Sequence, residues 1–169
     1  WGIDPNKIIL LGVSAGGHAA ASATVFWDSE EHIPGVDHAL GKPNGLILCY
    51  PVITGGEYTH AQSIGNLTGK KGVCPENDAY SLEKFVRPDT CPTFIWQPVS
   101  DATVPVDNSI LFAEALRKNG VPFDLHLYSH GWHGVGLATA EVGSHFPHVN
   151  SWFPLSVQWL KLIGLGPNT

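Results

Sequence analysis

The sequence predicts an α/β fold of about four mostly parallel strands flanked by helices. Three observations predict it. Strand and helix signals alternate along the chain, as crossover helices on a parallel sheet require. Three strand candidates are near-continuous apolar runs, the pattern of strands covered on both faces. The 169 residues are 43% hydrophobic and 14% charged, enough apolar side chain for one core and too little charge for a disordered chain.

In chain order, Lys7–Val13 (KIILLGV) reads as a strand buried on both faces. Ala15–Phe26 follows as a helix, its Ala19, Ala20, Ala21 and Ala23 permitting close approach to neighbours. Gly45–Tyr50 (GLILCY) is a second buried strand stopped by Pro51, and Thr93–Gln97 (TFIWQ) a third, bounded by Pro92 and Pro98. Val106–Asn119 is the clearest helix: Asp107 caps or charges its start, Leu111, Phe112, Ala115 and Leu116 share a face, and Gly120 ends it. Phe123–Tyr128 (FDLHLY) alternates apolar and polar residues, predicting a strand at or near an edge with one wet face. Ser151–Ile163 closes the chain as a helix with Leu155, Trp159 and Leu162 on one stripe and Pro154 in its first turn. Thr54–Asp89 is long and Gly-rich, with a helical piece around Ser81–Val86. Within a single domain spanning 1–169, it is expected to be an insertion or lid over the site.

Composition excludes several classes of function. The net charge of −6 argues against a nucleic-acid partner. No apolar run approaches the roughly 18 residues that span a bilayer, so no membrane is expected. Cys49, Cys74 and Cys91 show no C-x-x-C spacing, which predicts free thiols, a reducing, cytoplasmic location and no structural zinc. The histidines His126, His130, His133, His145 and His148 lack an accompanying carboxylate or thiolate signature, so neither a metal nor another cofactor is expected.

Chemistry concentrates at three loops. Gly12-Val13-Ser14-Ala15-Gly16 is a G-x-S-x-G run between a buried strand and an Ala-rich helix, the setting of a nucleophile elbow. Such a turn holds its serine in a strained backbone conformation, and side chains at Gly12 and Gly16 are expected to collide. The helix start would set the Ala15 N–H beside the hydroxyl as an oxyanion donor. Serine needs a base, and the base an orienting acid further along the chain. Asp101 lies four residues beyond Gln97, in the loop after the third strand. Its rivals fit less well, since Asp89 precedes that strand and Asp107 sits at a helix start. For the base, His130 and His133 compete in Ser129-His130-Gly131-Trp132-His133-Gly134; His133 has the freer, Gly-flanked loop. His18, one helical turn beyond Ser14, is either a brace for the elbow or a buried helix histidine. Trp96, Trp132 and Trp152 are either sugar-stacking surfaces or core.

Taken together, Gly12–His18 (GVSAGGH), Leu48–Ile53 (LCYPVI), Asn66–Gly69 (NLTG), Asp101–Pro105 (DATVP) and Gly131–Gly134 (GWHG) resemble, in order, the α/β-hydrolase esterases. The chain is most similar to the acetyl esterase/acetylxylan esterase and feruloyl esterase-like group, from about Ile3 to about Leu165. The resemblance implies Ser14 as nucleophile, Asp101 as orienting acid and His133 as base, with no metal. It also implies a small acyl ester, typically acetyl on a plant-type sugar, as substrate.

The family's His-Gly-Gly type loop, which supplies further oxyanion donors, has no counterpart in the 13 residues before Ser14. The expectation is therefore the C-terminal half of an α/β-hydrolase fold, N-terminally truncated, whose first strand is an unprotected edge prone to pair with a missing segment or with itself. The leading function is a serine carboxylesterase. The alternatives are a serine peptidase of the same fold and an inactive hydrolase fragment.

Overall fold

The structure, a computed structural model, describes residues 2–140 and 145–166. Within them, four strands form one sheet in the order β1 (Ile9–Val13), β2 (Gly45–Cys49), β3 (Thr93–Pro98) and β4 (Phe123–Tyr128). Every neighbouring pair is parallel, with Leu11 opposite Ile47, Leu48 opposite Ile95 and Trp96 opposite His126. Parallel neighbours need long crossovers, and the elements between the strands supply them. These are α1 (Ala15–Val25) and the short α2 (His38–Gly41); then α3 (Ala61–Thr68), α4 (Pro75–Asp78) and a 3₁₀ turn at Leu82–Phe85; and then α5 (Asp107–Lys118). After β4 come α6 (Pro147–Asn150) and α7 (Trp152–Leu162).

Side-chain alternation sorts the central strands into two layers. Leu46, Leu48 and Ile95 pack with Ala21 and Val25 of α1 and Phe112 and Leu116 of α5. Ile47, Cys49, Phe94 and Trp96 face the other way, onto Trp152 and Trp159 of α7. Trp96 stacks on Trp152 with centroids 4.9 Å apart. Each of these fully buried large side chains contributes about 1.5–3 kcal/mol by leaving water, so β2 and β3 form a rigid platform for the loops at their ends.

Three expectations need correction. The first strand is not covered on both faces: Leu11 is 54% and Val13 41% exposed, because β1 pairs only with β2 among the described residues and α1 covers only one of its faces. β4 is an edge strand and the Asp124 side chain is 45% exposed, but the other two polar residues of that face are partly covered. His126 lies against Phe94, and the Tyr128 ring meets Trp96 while its hydroxyl reaches the Ser151 hydroxyl, whereas Leu127 is the exposed residue. On α7, Trp159 is buried but Leu162 is 81% exposed, and it is Leu160 and Ile163 that pack with Trp159 toward the sheet. At α5, Val106 is the cap residue and Asp107 lies in the first turn, where it complements the helix dipole without a capping bond.

The Thr54–Asp89 segment is more structured than its composition suggested. Asn108 of α5 accepts from the Ile53 and Thr54 N–H groups and donates to the Tyr58 carbonyl. Ser81 accepts from the Gly55 N–H, and Glu83 from the Thr54 hydroxyl. At its far end, Arg87 pairs with both carboxylate oxygens of Asp28. All three cysteines are free thiols. Among the described residues, no helix is long and apolar enough to cross a membrane.

Candidate active site

The turn from β1 into α1 gives Ser14 φ 54° and ψ −122°, a conformation that costs a side-chain-bearing residue about 1–3 kcal/mol. Backbone bonds on both sides hold it there. The Ser14 N–H donates to the Cys49 carbonyl (3.0 Å), and the Ser14 carbonyl accepts from Val52 (3.0 Å) and Gly17 (2.9 Å). The rigid end of β2 thus over-determines the elbow. Ala15 opens α1, and the first N–H groups of a helix have no intrahelical acceptor.

The glycine pattern differs from expectation at one position. A Cβ at Gly12 would stand 2.5 Å from the Gly16 carbonyl oxygen, so that glycine is sterically required. A Cβ at Gly16 would meet nothing within 4 Å among the described residues. The second tight contact is at Gly17, where a Cβ would lie 2.6 Å from the Pro51 Cβ, because α1 passes directly over the chain leaving β2.

Three of the sequence-predicted residues converge. The Ser14 Oγ lies 2.7 Å from Nε2 of His133, and Nδ1 of His133 lies 2.7 Å from Oδ2 of Asp101. Asp101 Oδ1 accepts from the Thr103 (2.9 Å) and Val104 (3.0 Å) N–H groups. Burial opposes ionisation of Asp101, but the His133 bond and the two N–H donors outweigh it and hold the carboxyl below its ordinary value. The rivals lie elsewhere. Asp89 pairs with Lys42 and Arg87, Asp107 starts α5, and the His130 carbonyl accepts from His148. Among the described residues, no group of three or more His, Cys, Asp or Glu is placed to hold a metal.

Several positioning groups escaped the sequence reading. Buried Gln97 donates to the Val104 carbonyl (2.8 Å) and reaches Asp101 Oδ2 at 3.4 Å, while its own carbonyl accepts from Ser109 (2.6 Å). The Ser100 hydroxyl donates to the Gly131 carbonyl and accepts from the Gly131 N–H, clamping the Asp101 loop to the His133 loop. Tyr50, at φ 39°, sets its ring edgewise to His133 with centroids 5.0 Å apart. Its only sequence signal is the Tyr-Pro that ends the second strand. His60 caps α3, pairing Nδ1 with the Ser63 hydroxyl (2.8 Å); burial and the charge of His133 hold its pKa down.

The open alternatives separate. His18 is a buried helix histidine that ties the 54–89 segment to α1, with Nε2 3.0 Å from the Tyr80 carbonyl. Burial outweighs that bond and lowers its pKa. Trp96 and Trp152 are core, whereas Trp132 is 54% exposed and sits edgewise to Phe146.

With this geometry in hand, comparison with known proteins gives a consistent result. Residues 1–137 match the family model described as the alpha/beta hydrolase fold. Over 142 residues, 83% of this chain and 22% of the relative, the chain is 43% identical to endo-1,4-beta-xylanase B of Butyrivibrio fibrisolvens. It is 34% identical over 144 residues to acetylxylan esterase of Xylanibacter ruminicola, covering 82% of this chain and 28% of that one. Among solved structures, the acetyl ester-xyloside bifunctional hydrolase of Caldicellulosiruptor lactoaceticus superposes with a TM-score of 0.84 at 39% identity, over 98% of this chain and 60% of that chain. The chain therefore spans about a quarter of the length of these two curated relatives and under two thirds of this solved neighbour. From the elbow, the all-parallel sheet and the family match over most of its length, this chain belongs to the α/β hydrolase fold family.

Proposed function

We propose that this chain carries the catalytic centre of a serine carboxylesterase that hydrolyses small acyl esters, acetyl-type, on carbohydrate. The observation that carries the reading is the continuous run of two 2.7 Å contacts from Ser14 through His133 to Asp101. Relatives named acetylxylan esterase and acetyl ester-xyloside hydrolase support the substrate class.

In this reading His133 Nε2 takes the Ser14 proton as Oγ attacks the ester carbon. The carbonyl oxygen becomes an oxyanion facing the Ala15 N–H and the positive end of α1. Asp101 stays ionised, fixes the His133 tautomer with its proton on Nδ1, and stabilises the imidazolium. The tetrahedral intermediate collapses: the bond to the alcohol oxygen breaks, and His133 gives that oxygen its proton. An acyl-Ser14 ester remains. Water, deprotonated by His133, then attacks the acyl carbon, Ser14 recovers its proton, and the carboxylic acid leaves. The net reaction consumes one ester and one water and yields one acid and one alcohol. Residues 54–89 act as a wall over the site, which Ser63 and Tyr80 reach beside Ala15.

The test is hydrolysis of p-nitrophenyl acetate and release of acetate from acetylated xylan. Turnover is expected with both, and Ser14→Ala should lower it by about 10⁴-fold or more. Activity within about tenfold of the unmodified chain would contradict the role given to Ser14.

A further inference from the structure

His60 caps the start of α3, and the packing of α3 places it over the triad. Ile64, one helical turn further on, packs with Val52 and Val104. The Val52 N–H donates to the Ser14 carbonyl, and the Val104 N–H donates to Asp101. The first turn of α3 is therefore wedged between the nucleophile elbow and the loop that carries the acid. The chain entering it is pinned as well, since the Tyr58 carbonyl accepts from Asn108 (2.9 Å). Burial lowers the pKa of His60 most; the charge of His133 lowers it further and that of Asp101 opposes the change. His60 thus stands within electrostatic reach of both residues, and its ring is neutral at neutral pH.

The cap decides which nitrogen holds the proton. Nδ1 accepts from the Ser63 N–H (3.4 Å) and pairs with the Ser63 hydroxyl (2.8 Å), so its lone pair is turned to the helix end. A neutral imidazole has a single N–H, which is then on Nε2. Among the described residues nothing accepts from Nε2, and it is not sealed from solvent. His60 is therefore a free donor beside the triad. It cannot replace His133 as base, because its unengaged nitrogen already carries a proton.

The reaction supplies an acceptor. His133 hands its proton to the leaving alcohol oxygen, so the alcohol half of the ester lies on the His133 side of Ser14. His60 is on that side. We propose that His60 is a specificity-determining residue whose Nε2–H donates to an oxygen of the alcohol half, next to the ester being cleaved. That acceptor is a hydroxyl or ether oxygen of a polyol or sugar, which a hydrocarbon alcohol does not offer. The proposal rests on the esterase reading above and adds the group that discriminates between alcohols.

The experiment compares kcat/KM for 2-methoxyethyl acetate and butyl acetate, which differ by an oxygen in place of one methylene. Two variants separate the donor from the cap. His60→Asn keeps a strong helix cap but is too short to place a donor at the Nε2 position. The methoxyethyl-to-butyl ratio should fall about fivefold, with the melting temperature held within about 2 °C. His60→Gln returns an amide N–H near the Nε2 position but caps poorly, so the ratio should recover to within about twofold. Its melting temperature should drop by about 2–4 °C. A ratio unchanged in His60→Asn, or one that follows the melting temperature across the two variants, overturns the proposal and leaves the esterase reading standing. Absence of turnover of both acetates by the unmodified chain overturns the esterase reading and the proposal with it.

Discussion

Asp101 and His133 lie 32 residues apart in sequence, yet Oδ2 of one stands 2.7 Å from Nδ1 of the other, and the Asp101 carboxylate is fully enclosed. Neighbouring parallel strands produce this meeting. β3 and β4 run side by side, both chains leave the sheet at the same edge, and Ser100 ties the two loops together at Gly131.

Asp101→Asn keeps the shape of the carboxylate but removes its charge and permits the wrong imidazole tautomer. Esterase turnover should fall by about 10⁴-fold. Because the folded-state pKa of Asp101 lies below its ordinary value, its ionised form adds stability at neutral pH, and that contribution is lost as pH falls through the depressed value. Acid titration of the variant should therefore show a shallower loss of thermal stability than the unmodified chain. Identical titrations would contradict the stabilising role.

Ser14 is strained at φ 54°, and glycine adopts that region without a Cβ penalty. Ser14→Gly should abolish activity while raising stability by about 1 kcal/mol, which for a chain of this size is about 2–4 °C in melting temperature. A lowered melting temperature would show that the elbow is not strained.

The two glycines after Ala15 should respond in opposite ways. Gly16→Ala has open space and gains helix propensity, so stability should hold or improve by up to about 1 kcal/mol. Gly17→Ala drives a methyl into Pro51 and should cost about 1–3 kcal/mol or more. Denaturant midpoints of the two variants give the comparison, and equal midpoints would contradict the close approach of α1 to Pro51.

Burial pushes the Cys49 and Cys91 thiols up to about 12, while Cys74 is only partly covered. A native-state thiol titration at neutral pH should count one reactive cysteine, rising to three in denaturant. Since the two raised pKa values favour the neutral thiols in the fold, their contribution is present below the ordinary thiol value. It is lost progressively as pH climbs from 9.0 toward about 12. Three fast thiols in the native state would contradict this packing.

Much of the architecture was legible in sequence because two central strands, GLILC and TFIWQP, are buried on both faces and so carry uninterrupted apolar runs. The residues of the proposed triad were legible for a related reason: Ser14, Asp101 and His133 each follow a recognisable strand. What escaped depends on neighbours remote in sequence. Pro51 requires glycine at position 17, which no pattern around Ser14 reveals. His126 and Tyr128 looked like a wet face, but the aromatic layer of Phe94, Trp96 and Trp152 gives them buried company. The Thr54–Asp89 segment read as irregular because Asn108 and Ser81 hold its backbone, and Glu83 the Thr54 hydroxyl, through side-chain bonds that leave no periodicity.

The central claim is that Ser14 is activated by His133 rather than His130, and covalent labelling tests it most directly. The chain is exposed to a fluorophosphonate, and the modified residue and its rate are read by peptide mass spectrometry. The account predicts a single adduct on Ser14. His133→Ala should slow its formation by about 10²-fold or more, and His130→Ala should leave it within about twofold. An adduct on another residue, or labelling suppressed by His130→Ala and not by His133→Ala, would contradict the account.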